Sequence, residues 1–189
     1  MQIRTATLDD ADSLALVHVQ TWQAAYAEIL PAGYLAALDL TAWIARWRRN
    51  LAARTASTRT LVAEDNGKIV GFASVGPYRA KDGVEPGIGE VYAIYAHPTS
   101  WSTGAGRALT DAAIAHLTEA GLPEIRLWVF ADNPRARRFY ERAGFVPDGT
   151  SEMDTIDPEG PYETTAEELR YTRPQDRHNS TVVVPSRTR

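Results

Sequence analysis

Residues 101–107 read Trp-Ser-Thr-Gly-Ala-Gly-Arg and join strand-like sequence to helix-like sequence. A strand that feeds a helix through such a loop leaves several backbone N–H groups pointing one way, with the positive end of the helix dipole behind them. Gly104 and Gly106 carry no Cβ, so an anion can approach the backbone closely. Arg107, in the first helical turn, adds positive charge. The chemistry this pattern serves is the binding of a phosphorylated small molecule. It is not a nucleoside-triphosphate loop, because no lysine follows the glycines as that motif requires. It is also a poor dinucleotide fingerprint. Leu109 stands where the third glycine should be, and a hairpin rather than a crossover precedes the strand.

Other reactive side chains are few. The chain has no cysteine, which removes thiolate nucleophiles, disulfides and thiolate zinc sites. His18, His97, His116 and His178 show no metal-ligand spacing, so no metal is expected. His116 lies on an apolar helix face and reads as a core histidine; His97 is an alternative base. A chain of 189 residues, 44% hydrophobic and 23% charged, suits one globular domain. The net charge of −4 argues against nucleic acid or anionic membrane as a partner. No apolar run reaches membrane-spanning length, and Met-Gln-Ile-Arg-Thr reads as strand rather than signal peptide, so a cytoplasmic protein is expected.

The elements that must position the loop follow from periodicity and punctuation. Residues 2–7 alternate as a strand. Asp9 and Asp10 open a helix through Leu14, Val17, Trp22 and Tyr26. A second helical stretch runs from Tyr34 to Trp47, with Arg46, Arg48 and Arg49 on a solvated face. Asp65-Asn66-Gly67-Lys68 predicts a tight hairpin between strands 60–64 and 69–78. Residues 79–89 read as a Gly/Pro/charged loop, and 90–96 as the next strand. The helix after Gly104 places Ala105, Leu109, Ala112, Ala113 and Leu117 on one face and ends at Gly121. Residues 125–130 predict a strand, and Asn133-Pro134 opens a short helix that ends at Ala143-Gly144. A strand from Phe145, an acidic loop over 154–168 and a strand through Tyr171 complete the order. From Pro174 the chain reads as a polar tail. The expected fold is α/β, one domain over residues 1–173 and a tail over 174–189.

Two blocks carry a specific resemblance. Ile94-Tyr95-Ala96-His97-Pro98, followed by Trp101 to Leu109, resembles the acyl-CoA pyrophosphate motif of the GNAT N-acetyltransferase superfamily, Gln/Arg-x-x-Gly-x-Gly/Ala after a strand. Asn133 to Phe145 is similar to that superfamily's Asn-x-x-Ala-x-x-Phe-Tyr-x-x-x-Gly-Phe segment. The likeness covers residues 1–172. It implies a GNAT-like domain whose mixed, mostly antiparallel twisted sheet is flanked by helices. It further implies acetyl-CoA as co-substrate, held by Ile94, Tyr95, Ala96, Trp101, Ser102, Thr103, Gly104, Ala105, Gly106 and Arg107, with Asn133 on the pantetheine arm. Trp101 replaces the usual Gln or Arg, and Ser102 a frequent Gly, so one side-chain donor is missing.

By the same resemblance Tyr140 protonates the departing sulfur and Glu90 acts as general base through water. Ordinary helix packing and a solvated strand end are the structural readings of these two residues. Trp22, Tyr26 and Tyr92 are expected to wall the acceptor site. The implied function is transfer of an acetyl group to a primary amine by direct attack in a ternary complex. A catalytically silent CoA-binding module and a protein N-terminal acetyltransferase are the alternatives. The expected partners are a small-molecule or peptide amine and, with no motif to decide it, a second copy of the chain.

Overall fold

The computed structural model describes residues 1–53, 55, 57–80 and 83–174. Seven strands form one sheet in the order β1-β2-β3-β4-β5-β7-β6. They are β1 Gln2–Thr5, β2 Arg59–Asp65, β3 Lys68–Ala80, β4 Gly83–Ala96, β5 Glu124–Phe130, β6 Val146–Ile156 and β7 Thr164–Arg173. The helices are α1 Ala11–Ala25, α2 Ala32–Ala36, α3 Leu40–Ala52, α4 Ala105–Glu119 and α5 Pro134–Arg142. Every neighbouring strand pair is antiparallel except β4 and β5.

Alternation along the strands sends side chains to two cores. Leu61, Ala63, Ala73 and Val75 pack with Leu109, Ala113 and Leu117 of α4, and with Ile125, Leu127, Phe145 and Tyr171. Val62 and Phe72 point the other way, onto Leu14 and Val17 of α1 and Trp47 and Leu51 of α3. A third cluster of Tyr26, Leu30, Leu35, Phe130 and Ile156 closes one end of the sheet. Asp10 fixes the start of α1: its carboxylate accepts from both Arg4 Nη atoms at 2.7 and 2.9 Å and from Thr7 N at 2.7 Å.

Local turn chemistry behaves as the residues predict. Asn66 and Gly67 take φ of 49° and 74°, the pair a type I′ hairpin needs. Gly121, at φ 80°, follows α4. Asn133 caps α5, its side chain accepting from Ala136 N at 3.0 Å, with Pro134 in the first turn.

Three elements differ from expectation. The stretch 79–89 is not a loop: β3 and β4 continue through it, paired Pro77 to Gly89 and Ala80 to Gly83. A register shift between Pro77 and Arg79 absorbs the proline, and Gly83 and Gly87 adopt positive φ. The acidic stretch 154–168 is a hairpin arm. β6 runs to Ile156, Asp157 anchors the turn by accepting from Tyr162 N, and β7 returns at Thr164. The second helical stretch breaks in two, because the Asp39 side chain accepts from Thr41 N at 2.8 Å and starts α3 afresh. Of the expected tail, all but Pro174 lies outside the described residues, as does His178.

The sheet opens at its centre. β4 and β5 pair only at Ile88 with Glu124, Gly89 with Ile125 and Glu90 with Arg126. Beyond Glu90, β4 stays on β3 and β5 stays on β7, so the two parallel strands diverge.

Candidate active site

The divergence of β4 and β5 leaves a cavity of about 760 Å³. The loop before α4 forms one end through Trp101, Ser102, Gly104, Gly106 and Arg107, with Asn133 and Arg135 of the facing α5 segment. Ile94, Tyr95, Ala96 and Tyr140 line the middle. Trp22, Tyr26, Arg79, Glu90, Tyr92, Phe130, Glu152, Asp154, Ile156 and Glu168 form the other end.

The anion-binding geometry of the loop is present. Gly104 precedes α4 at φ 96°, and no side chain caps the helix, so its first-turn N–H groups are left for a ligand. No atom lies within 4 Å of where a Gly104 Cβ would be, so glycine is required there by its backbone angle and not by crowding. Ser102 also holds a left-handed φ of 65°, which fits a position where glycine is frequent. Thr103 and Ala105 do not line the cavity. The Thr103 hydroxyl donates to the Ser100 carbonyl at 2.8 Å, and Ala105 is fully buried under α4. Only their backbone can meet a ligand.

Trp101 has a structural task. Its Nε1 donates to the Ala96 carbonyl at 2.8 Å, which also accepts from Thr21 Oγ1 at 3.1 Å. Its ring lies beneath the Arg135 guanidinium. Arg107 is held by Asp111 in the next turn, at 2.9 Å. His97 is engaged by Gln20 and Thr99, which leaves it poorly placed as a base.

Tyr140 is buried in α5 and lines the cavity. Burial, and then the nearby Tyr95, raise its phenol above the ordinary range, so it holds its proton at neutral pH. Tyr26 and Tyr95 share a hydroxyl–hydroxyl hydrogen bond of 3.2 Å.

Glu90 reaches the cavity but is only 3% exposed, and both its oxygens are engaged by Arg79. Oε2 accepts from Arg79 N at 2.8 Å and Oε1 from Nη2 at 2.7 Å. The Arg79 guanidinium also sits 4.0 Å from the Tyr92 ring centroid, while the Tyr92 hydroxyl donates to the Pro77 carbonyl at 2.7 Å. A water relay between Glu90 and Tyr92 therefore meets an arginine in its place. Sequence reasoning missed Arg79 in this role, together with Arg135, Glu152, Asp154 and Glu168. The signal for the acids was present as alternation, Glu152-x-Asp154-x-Ile156 and Ala166-x-Glu168, but the strand was expected to stop before Asp154 and residues 154–168 to be loop. Among the described residues no group of His, Cys, Asp and Glu is arranged to hold a metal ion, and no helix is long and apolar enough to cross a membrane.

The model of the acetyltransferase (GNAT) family matches residues 20–145. The uncharacterized N-acetyltransferase YuaI of Bacillus subtilis is 34% identical over 132 residues, which is 70% of this chain and 73% of that protein. A mycothiol acetyltransferase of Thermobispora bispora is 42% identical over 85 residues, 45% of this chain but only 29% of that protein. Among solved structures, the PaiA N-acetyltransferase of Thermoplasma acidophilum, in complex with coenzyme A, superposes with a TM-score of 0.68. It is 18% identical and covers 92% of this chain and 98% of its own. YncA of Salmonella typhimurium, a structure with acetyl-CoA, has a TM-score of 0.66 at 22% identity over 97% and 99% of the two chains. The chain belongs to the GNAT family of acetyltransferases.

Proposed function

We propose that the protein transfers an acetyl group from acetyl-CoA to a primary amine by direct attack within a ternary complex. The observation that carries this reading is the continuity of one cavity from the Gly104 loop, past Tyr140, to the aromatic and acidic end. The residues fit such a donor. The uncapped start of α4 offers N–H groups to a pyrophosphate, and the unpaired edge of β4 offers alternate backbone groups to the amides of a pantetheine arm. Asn133 spends its side-chain oxygen on the α5 cap, which leaves its amide nitrogen for the arm.

The chemistry then needs a free amine, a polarised carbonyl and a proton for the leaving sulfur. The amine nitrogen attacks the thioester carbon, the C–S bond breaks, and Tyr140 gives its proton to the sulfur. Its buried phenol favours this role, because a donor that stays neutral is available through the ordinary pH range. The chain holds no cysteine, in keeping with a reaction that forms no thioester on the enzyme. Trp22, Tyr26 and Tyr92 wall the acceptor end.

A thiol-release assay with acetyl-CoA and a panel of primary amines tests the proposal. Turnover with an amine and a thermal shift with acetyl-CoA are expected. A thermal shift without turnover by any amine would mark a silent CoA-binding module, and no shift would reject the proposal outright.

A further inference from the structure

The acceptor end of the cavity holds two glutamates in opposite circumstances. Glu90, on β4, is closed off by Arg79. Glu168, on β7, lines the same cavity half-buried, and among the described residues no hydrogen bond or ion pair engages its side chain. In the sheet, Glu168 stands beside Phe130 of β5 and directly opposite Glu152 of β6. Like charges directly opposed on neighbouring strands repel, which disfavours the ionised form of Glu168. Asp154 adds a third acid two pairs along, opposite Ala166.

We propose that Glu168, and not Glu90, takes the proton from the acceptor ammonium before attack, and that the proton acceptor for this reaction therefore lies on the β6–β7 arm. The inference rests on the acetyltransferase reading above. Its balance is simple. The ammonium N–H bond breaks and its proton passes to a Glu168 carboxylate oxygen, leaving a neutral amine. The amine nitrogen uses its lone pair to attack the thioester carbon. Of its two remaining hydrogens, one replaces the proton that Tyr140 donates to sulfur, and one stays on the amide. Glu168 then releases its proton to solvent.

The surroundings suit that task. The titratable and charged groups that face Glu168 are Tyr26 just after α1, Arg79 of β3, Glu90 and Tyr95 of β4, and Glu152 and Asp154 of β6. Burial first, then Asp154, Glu152 and Glu90, push the Glu168 carboxyl up to about 7, with Arg79 opposing. A base that titrates near working pH is best matched to proton transfer. The incoming ammonium brings positive charge to a wall where acids outnumber the one arginine, Arg79, which Glu90 already engages. Glu90 then has a different part: it holds Arg79 folded against Tyr92 and takes up that charge itself rather than leaving it to Glu168.

The test compares wild type, Glu168→Gln and Glu90→Gln in thiol release across pH, using acetyl-CoA with 1-aminobutane, 1,4-diaminobutane and an alanyl peptide. Glu168→Gln should lose about 100-fold in kcat/KM at pH 7, with the loss shrinking as the amine deprotonates unaided at high pH. It should keep the acetyl-CoA thermal shift of wild type. A wild-type pH profile in Glu168→Gln overturns the proposal, as does a loss equal at every pH. A Glu90→Gln profile that shows this pH-dependent loss while Glu168→Gln does not returns the role to Glu90. If wild type shows the acetyl-CoA shift but turns over none of these amines, carbon-13 NMR of the glutamate carboxyls decides. The Glu168 resonance, assigned by its loss in Glu168→Gln, should titrate near neutral pH, and a midpoint in the ordinary carboxylate range overturns the proposal. Absence of the shift in wild type overturns the acetyltransferase reading and this inference with it.

Discussion

The guanidinium carbon of Arg135 lies 3.6 Å from the centroid of the Trp101 ring. The contact joins the loop before α4 to the first turn of α5, and the Ala96 carbonyl fixes the indole that serves as its platform. Trp101 stands where the resemblance has a Gln or Arg, and its ring sets the Arg135 guanidinium of the facing helix at that end of the cavity. Trp101→Ala and Arg135→Met should each weaken acetyl-CoA binding by about 5–30-fold, the range expected for one partly desolvated cation and its support. The double variant should lose less than the product of the two, because both remove the same charge. Titration calorimetry measures it. Additive losses would show that the ring and the guanidinium act separately.

Gly104 separates backbone from charge. Gly104→Ala places a Cβ in open space at φ 96°, so it should cost about 1–2 kcal/mol in backbone strain and lower Tm while retaining an acetyl-CoA shift. Gly104→Asp adds a negative charge at the same place and should abolish the shift. Wild type at ~100 times Kd should gain about 2.7 kcal/mol from acetyl-CoA. An equal shift in both variants would place the phosphates elsewhere.

Tyr140→Phe should lower kcat by about 10–1000-fold with little change in acetyl-CoA affinity, if the phenol supplies the proton to sulfur. The measurement requires conditions where chemistry limits turnover. Unchanged kcat would assign the proton to water.

His18 should set the acid limit of stability. Its ring is buried, neither nitrogen has a hydrogen-bond partner, and the rings of Trp22, Trp43, Trp47, Phe72 and Tyr95 surround it. Burial, and then the charge of Arg46, lower its pKa from 6.5 to about 3. The unfolded chain binds this proton first, so stability is complete above pH 6.5 and falls as pH drops toward 3. About 2 kcal/mol should be lost between pH ~6.5 and ~4.5. Denaturant melts of His18→Phe should show a flatter profile over that window. A slope as steep as wild type would trace the loss to carboxylates such as Asp10.

What could be read from the residues alone follows a physical division. The Asn66-Gly67 turn, the start of α4 at Gly104 and the Asn133-Pro134 opening of α5 are each set by a few neighbouring residues, and each was legible. The strands through 79–89 and 154–156 were not, because their composition favours turns and only cross-strand partners make them strands. The same holds within the site. The resemblance singled out Glu90, which does line the cavity, yet its engagement by Arg79 depends on where the β3–β4 hairpin folds back. For Glu168 the only local signal is the alternation with Ala166; its place on the cavity wall follows from β7 inserting between β5 and β6.

The split between β4 and β5 makes this a sheet with an unfinished seam. From residue 91 onward, half the backbone groups of β4 have β3 as partner and the alternate half, apart from the Ala96 carbonyl held by Trp101 and Thr21, face the gap where another strand would normally lie. An extended ligand bearing amides can sew the two halves together, so part of the fold's cohesion is lent by whatever occupies the seam. Amide hydrogens on that edge should exchange with solvent readily in the free protein and slow down when acetyl-CoA is added, while those facing β3 stay slow throughout. The enzyme would then be mechanically whole only when loaded, and release of the spent thiol would reopen the seam that the next donor must close.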